Sequence, residues 1–247
     1  MAGFVLTDST ILVGGIDLSQ FTGTFDLPAS VNMVESRVHA AGGFLRKYPG
    51  IRTYGAKFSG AADFGAGAVS TYLTAAATGI GAQHVVTVAP QNASTAGNVA
   101  ISTRTIVQQF TPFDGALGDL AGFTLNCESD TAEVSGLVAM PNTAYTSTVN
   151  GTVLAMTGPT AAQRLYAALH VTSVSGTTPS MTATVQSAAL VGFGSPTTRG
   201  TFTAATATGS QWLTPVAGAI TDGFWRVQFT ISGTTPSFTA CAVIGVL

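Results

Sequence analysis

Apolar and polar residues alternate one by one in the last part of the chain. The run FWRVQFTI at residues 224–231 and the run FTACAVI at residues 238–244 both have an apolar side chain at every second position. A period of two is that of a β-strand with one buried face. The pattern predicts two strands whose inner faces carry Trp225, Val227, Phe229 and Ile231 in the first, and Phe238, Ala240, Ala242 and Ile244 in the second.

The six-residue segment SGTTPS occurs twice, at residues 175–180 and 232–237. Alternating runs flank both copies; around the first they contain Leu169, Val171, Met181, Ala183 and Val185. Glycine permits unusual φ angles, proline fixes φ, and hydroxyl groups bond to the nearby backbone, as turns require. We therefore expect each copy to be a hairpin loop, and residues from about 160 onward to form an antiparallel β-sandwich or jelly roll.

The first part of the chain combines strand patterns with one helical pattern. Residues 11–18, ILVGGIDL, predict a hairpin with a Gly-Gly turn, and residues 31–38, 51–60, 99–111 and 119–140 are typical of strands. Within residues 64–78, Val69, Leu73 and Ala76 form one apolar stripe, and Gly79 is placed to end a helix. The chain is thus predicted to be mainly β, with one helix.

A change in composition predicts two domains. Residues 142–162, NTAYTSTVNGTVLAMTGPTAA, are rich in Thr, Gly and Ala, a composition typical of a domain boundary. We expect domains at residues 1–155 and 156–247, each with its own core.

The chain has few charges for its size. Charged residues make up 8% of the sequence and hydrophobic residues 46%, whereas roughly a quarter of an average soluble domain is charged. Charge keeps an isolated domain soluble, so we expect a subunit of an assembly. Membrane insertion is not expected, because no apolar stretch of about 18 residues occurs. Residues 1–20 lack the pattern of a secretory signal, which favours synthesis in a cytoplasm.

Little in the sequence indicates tight nucleic-acid binding or a disulfide framework. The net charge is −2, so there is no basic footprint. A wall past which DNA slides would also lack clustered cations, since each phosphate contact adds affinity. Cys127 and Cys241 are far apart in sequence and are predicted to be buried free thiols.

No motif of an enzyme or of a metal site is found. His39, His84 and His170 are far apart in sequence, so neither a metal site nor a cofactor is expected. The segment NCESDTAE, with Glu128, Asp130 and Glu133, fits a solvated acidic turn better than a weak Ca²⁺ site. Trp212 and Trp225 could form an aromatic platform that binds a sugar. The alternation, however, places Trp225 in the core.

Three segments, taken in order, resemble the major tail tube proteins of siphophages with a C-terminal β-sandwich domain. They are ILVGGIDLSQFTGTFDL at residues 11–27, GGFLRKYPGIRTYGAKFSGAADF at residues 42–64, and the region from RLYAALHVTSVSGTTPS to TDGFWRVQFTISGTTPSF at residues 164–238. The resemblance implies a tail-tube-type double β-sheet with one flanking α-helix, followed by the antiparallel β-sandwich. It further implies hexameric rings that stack helically into a conduit for double-stranded DNA during ejection.

The resemblance also implies partners and contact residues. The partners would be other copies of the chain and the tape measure, terminator and distal tail proteins, in a virion assembled in the host cytoplasm. In the family, a long loop reaches the next ring; here it corresponds to residues 38–50, with inter-ring contacts expected from His39, Phe44, Leu45, Arg46, Lys47 and Tyr48. The segment AAGGFL is bulkier and less polar than the family loop, which leaves apolar contacts open. The acids expected to face the lumen are Asp26, Glu35 and Asp63.

Two other classes of protein remain as alternatives. A capsid decoration protein is also β-rich and oligomeric, but it would not need the helix and the basic loop. An adhesin would bind carbohydrate through the C-terminal sandwich, yet that region has few charges for a polar groove: Arg164, Arg199, Asp222 and Arg226.

Overall fold

The computed structural model describes residues 6, 8–36, 46–65, 69–75 and 78–247. These residues form sixteen strands and one short helix, which confirms the mainly β class. The elements in the first part are β1 Thr10–Val13, β2 Ile16–Asp17, β3 Thr22–Asp26, β4 Ala29–Ser36, β5 Arg46–Ala61, α1 Val69–Thr74, β6 Gln83–Ala89, β7 Val99–Asp114, β8 Gly122–Ser129, β9 Val134–Tyr145 and β10 Val149–Asn150. Those that follow are β11 Leu154–Ala155, β12 Arg164–Ala188, β13 Thr197–Thr201, β14 Gly209–Trp212, β15 Val216–Ala217 and β16 Phe224–Val246.

All of the strand pairs are antiparallel and belong to one connected hydrogen-bonding network. Its main path runs β13-β12-β16-β9-β7-β6-β1-β2. Strand β8 joins β7 to β5, and β5 pairs on its other side with β3 and β4. Because β12 and β16 have 25 and 23 residues, far more than a usual strand, each can contribute to two layers of the fold.

The two SGTTPS segments are not hairpin loops, and that prediction was wrong. Strands β12 and β16 continue through them, and the segments pair with each other: Ser175 lies opposite Ser237, Thr177 opposite Thr234, and Ser180 opposite Ser232. Since the two copies run antiparallel, a local two-fold relation connects them. Residues of the two halves of each strand belong to one core cluster. The pairing of β12 with β16 shifts register on both sides of Thr177, so the ladder is irregular where the two segments meet.

Glycine is required at the same place in both copies. Gly176 and Gly233 have φ angles of +111° and +122°, which other residues rarely adopt. A Cβ atom on Gly176 would lie 2.6 Å from the Thr235 carbonyl oxygen, and one on Gly233 would lie 2.8 Å from that of Thr178. The segments can therefore approach each other only because each lacks a side chain there.

The predicted inner faces of the second part are buried. A single cluster contains Trp225, Val227 and Phe229 from the start of β16 and Phe238, Ala240, Ala242 and Ile244 from its end, with Ile231 partly buried against it. The faces of β12 predicted from Leu169, Val171, Met181, Ala183 and Val185 belong to the same cluster. Both cysteines are free and buried, as predicted.

The first part has its own cluster and a shorter helix than the sequence suggested. Hairpin β1–β2 forms as predicted, with Gly14 at φ +58°. Helix α1 has six residues, and Val69 and Leu73 are buried against this cluster, whereas Ala76 lies outside the described residues. Phe64 and Gly65 are not helical; the Asp63 carboxylate accepts a hydrogen bond from Gly65 N–H, and the Asp63 carbonyl accepts one from the Ser70 hydroxyl.

A third cluster draws on both parts of the chain. Leu12, Val85 and Ala100 from the first part pack with Ala168, Cys241 and Val243 from the second. Strand β9 lies between the two parts, since it pairs with β7 on one side and with β16 on the other. A domain boundary at residue 155 remains a prediction. Two domains divided there would contact each other through this third cluster and through the pairing of β9 with β16.

Candidate assembly surfaces

Strand β4 and residues 46–54 of β5 form a two-stranded ribbon, here called the arm. The ribbon pairs from Ala29 opposite Tyr54 to Ser36 opposite Arg46. Every described side chain at residues 29–35 and 46–53 is exposed. The ribbon therefore packs neither of its faces on the other described residues.

Both edges of the arm also lack a further strand among the described residues. Strand β8 pairs with β5 only from Gly55 onward, and β3 and β4 follow one another along the other side of β5. The outer backbone groups of β4 and of residues 46–54 are thus left for another partner. Unpaired edges of this kind are templates for pairing with another chain.

Large apolar side chains are exposed on the arm. They include Ile51, which is 77% exposed, and Val31, Met33, Val34 and Tyr48. Soluble monomers rarely leave such side chains grouped on one segment, and such a group marks an interaction site. The arm has the composition of a contact surface.

The arm contains three of the residues that sequence reasoning assigned to inter-ring contact. Arg46, Lys47 and Tyr48 lie at the start of β5 and are exposed, and His39, Phe44 and Leu45 lie outside the described residues. Lys47 Nζ lies 3.7 Å from the Glu35 carboxylate across the ribbon. Because both side chains are about half exposed, this pair adds little to stability.

The three acids expected in the lumen lie at separate places. Asp26 is exposed on β3 opposite Lys57, and Glu35 is on the arm. Asp63 follows β5 at the far end and caps the turn before α1. The structure does not bring the three together, and their orientation toward a lumen remains a prediction.

A second exposed apolar surface was missed by sequence reasoning. The end of β7 and the turn that follows it, residues 113–120, are exposed throughout; together with Phe64 they are here called the tip. Leu117 is fully exposed and Leu120 is 82% exposed, and the Phe64 and Phe113 rings stack edge to face with centroids 6.0 Å apart. The sequence feature that could have predicted this surface is Leu117, which lies between the two glycines of FDGALGDL. A turn at these glycines exposes that side chain.

One cleft in the described part of the chain is lined by acidic groups and a tyrosine. A cleft of 520 Å³ is lined by Asp17, Asp63 and Tyr72. The Asp17 carboxylate, however, accepts hydrogen bonds from Ser19 N–H and from the Asn142 amide, and burial raises the pKa of Tyr72. No reactive pair is formed there.

The remaining candidate residues take structural roles. Asp130 accepts from Arg104 Nε at 2.9 Å, and no group of His, Cys, Asp or Glu able to hold a metal occurs in the described ranges. Trp225 is fully buried and donates from Nε1 to the Met156 carbonyl, so it belongs to the core and not to a sugar platform. Burial raises the pKa of the Cys127 and Cys241 thiols to about 12, which leaves them unreactive.

No helix in the described part of the chain is long and apolar enough to span a membrane.

The chain matches no known family model and none of the curated proteins searched. Among solved structures it is similar to the sheath/tube terminator of an extracellular contractile injection system, PVC, in the extended state, with 13% identity and a TM-score of 0.43 over 55% of this chain and 97% of the other. A chain of the native gene transfer agent virion has 14% identity and a TM-score of 0.36 over 51% of this chain and 93% of that one.

The third similar structure covers nearly the whole length of both chains. It is the Dit protein of SPP1, described as a paradigm of the hub adsorption apparatus in phages that infect Gram-positive bacteria. The identity is 11% and the TM-score 0.37, over 98% of this chain and 100% of the other.

Proposed function

We propose that this chain is a structural virion protein whose copies form hexameric rings that stack into the tail tube of a phage. The observation that carries the proposal is the arm, a ribbon that the other described residues leave exposed on both faces and unpaired at both edges. An isolated two-stranded ribbon is marginally stable at best in water. Packing against other copies would bury its apolar side chains and pair its edges.

The low charge content supports the same proposal. Only 8% of the residues are charged, and the net charge is −2. Stacked copies cover the uncharged surface that would make a single copy poorly soluble. A near-neutral wall also suits a conduit, because phosphates are not held as the duplex moves.

Electron microscopy of the purified full chain at high concentration tests the proposal. Rings that stack into tubes with an axial hole wide enough for a DNA duplex are the expected result. Particles that remain monomeric at every concentration and salt level would refute it. Closed cages, or rings that never stack, would favour a different virion component.

A further inference from the structure

We propose that the tip, residues 113–120 with Phe64, is the surface that receives the arm of the next copy. This inference rests on the proposed function, because it names the partner surface for the stacking contact. Both surfaces expose large apolar side chains: Val34, Tyr48 and Ile51 among those of the arm, and Phe113, Leu117 and Leu120 among those of the tip. Each is left uncovered by the other described residues of its own chain.

The arm and the tip lie at opposite ends of one strand. Strand β5 has 16 residues and spans roughly 50 Å at the usual rise of a strand. The arm is formed by its first residues, whereas the tip adjoins its last: Ala61 lies opposite Gly122, Gly122 lies opposite Asp114, and Ala62 N–H donates to the Ala121 carbonyl. An arm that contacts a tip must therefore belong to a different copy.

The charges favour contact between unlike surfaces. The arm carries Arg46, Lys47 and Arg52 against the single acid Glu35, and the tip carries Asp114 and Asp119 with no cation. Two cations of the arm and both acids of the tip are exposed: Arg46, Arg52, Asp114 and Asp119. None of the four forms an ion pair with another described residue. An arm placed on an arm, or a tip on a tip, would bring like charges together, which disfavours a self-complementary contact.

A contact between two different surfaces has a defined consequence for growth. Each copy that binds through its arm still presents a free tip, and each that binds through its tip presents a free arm. Such a heterologous contact does not close on itself when it is repeated by translation, and it builds a polar filament. The arm–tip contact thus supplies a direction to the stack.

Two variants and a matched control test the contact. The arm variant is Val34→Ser with Ile51→Ser, and the tip variant is Leu117→Ser with Leu120→Ser. The control is Leu190→Ser with Val191→Ser, an exposed apolar pair on the turn after β12. Assembly is followed by light scattering and sedimentation over a range of concentrations. All six side chains are exposed, so the unfolding midpoints should match that of the unaltered chain.

We expect the arm and tip variants each to raise the concentration needed for stacking by about tenfold or more, since each removes two apolar side chains from the contact. The control should assemble as the unaltered chain does. Mixing preformed rings of the arm variant with preformed rings of the tip variant should restore one junction, between the intact tips of the first and the intact arms of the second. The mixture should therefore give stacks two layers deep that grow no further.

Other results would overturn the inference. If the tip variant stacks like the control while the arm variant does not, the arm binds elsewhere, and the proposed function stands without the inference. The same holds if neither variant affects stacking, or if both fail alone and the mixture forms no junction. If the unaltered chain never assembles, the proposed function fails, and the inference fails with it.

A charge exchange provides an independent test of the pairing. Asp114→Lys with Asp119→Lys should weaken stacking, and adding Arg46→Asp with Arg52→Asp in the same chain should restore at least part of it. The weakening and the recovery should both diminish as salt is raised, because exposed charges are screened. No recovery at low salt would mean that these four residues do not meet.

Discussion

His170 is a fully buried ionisable residue that joins the two parts of the chain. Its Nδ1 lies 3.0 Å from the Gly14 carbonyl and its Nε2 lies 2.8 Å from Thr87 Oγ1. A carbonyl only accepts, so Nδ1 carries the proton and Nε2 accepts from the Thr87 hydroxyl. Thr87 is in turn 2.8 Å from Ser102 Oγ. The neutral imidazole therefore satisfies all of its polar atoms inside the core.

This environment lowers the pKa of His170 to about 4. Burial is the main cause and the nearby His84 adds to it, whereas the bond to Gly14 and the charge of Asp17 act in the opposite direction. The unfolded chain, with a histidine pKa near 6.5, takes up this proton before the folded chain does. The stability associated with neutral His170 is thus complete above about pH 6.5 and is lost as the pH falls toward 4.

We predict that His170→Gln reduces the pH dependence of unfolding. Glutamine offers a donor and an acceptor but gains no proton in this range. Between pH 6.5 and 4.5 the free energy of unfolding should fall by about 2.2 kcal/mol less in the variant than in the unaltered chain. Urea titrations at several pH values measure the difference, and identical slopes for the two proteins would contradict the assignment.

At the scale of elements, the pairing of β12 with β16 at the SGTTPS segments depends on glycine in both strands. We predict that Gly176→Ala and Gly233→Ala each destabilise the chain by about 1–3 kcal/mol, because alanine is strained at these positive φ angles and its Cβ meets a carbonyl oxygen of the opposite segment. Gly192→Ala is the matched control, since a Cβ there meets nothing within 4 Å.

Thermal or urea unfolding measures all three glycine variants. Because a local two-fold relation connects the two paired SGTTPS segments, Gly176→Ala and Gly233→Ala should have similar effects. A large difference between them, or a loss no greater than that of the control, would show that the two segments do not depend on close pairing.

The elements that the sequence predicted well are those with a local cause. Period-two alternation placed Trp225, Phe229 and Ile244 in the core, because the side-chain direction along a strand is fixed by the strand itself. SGTTPS was mistaken for a loop because its residues suit a turn, while its real partner is a distant copy of itself. The choice of that partner is made by tertiary packing, which no local pattern contains.

The candidate surfaces were only partly predictable for a similar reason. The resemblance directed attention to Arg46, Lys47 and Tyr48, and these residues are on the arm. Residues 31–38 were predicted to include a strand, and the other described residues of the chain leave the side chains at residues 29–35 exposed. Apolar side chains in a strand indicate that the strand is to be buried. They do not indicate whether the residues that bury it belong to the same copy of the chain or to another.

At the scale of the whole molecule, the third cluster links the two parts of the chain. We predict that a chain ending at residue 158 remains soluble around the first cluster but unfolds at a lower urea concentration than the full chain. The cut removes Ala168, Cys241 and Val243 from the shared cluster and leaves β9 with an unpaired edge. Circular dichroism during urea unfolding of both chains provides the comparison.

Two outcomes would change the view of the division near residue 155. An unfolded truncated chain would mean that the two parts share one core and fold together. Equal midpoints for the two chains would mean that the shared cluster adds nothing to the stability of the first part.

The net charge of −2 leads to a prediction for DNA. Duplex DNA carries about one charge per 1.7 Å, so clustered cations on repeated copies would form an adhesive stripe. We predict that the unassembled protein binds duplex DNA more weakly than about 1 µM at about 50 mM salt, in an anisotropy titration. Tighter binding that falls steeply with salt would indicate an anchoring role and not a conduit.

The self-pairing of SGTTPS has a consequence for how this gene can change over time. A substitution in one SGTTPS segment changes the environment of the other, since the two segments pair with each other. Drift should therefore be slow in both copies, and a tolerated replacement in one should be followed by a matching replacement in the other. In related sequences, substitutions in the two segments are expected to covary. The two segments should therefore stay more similar to each other in sequence than the strands that flank them.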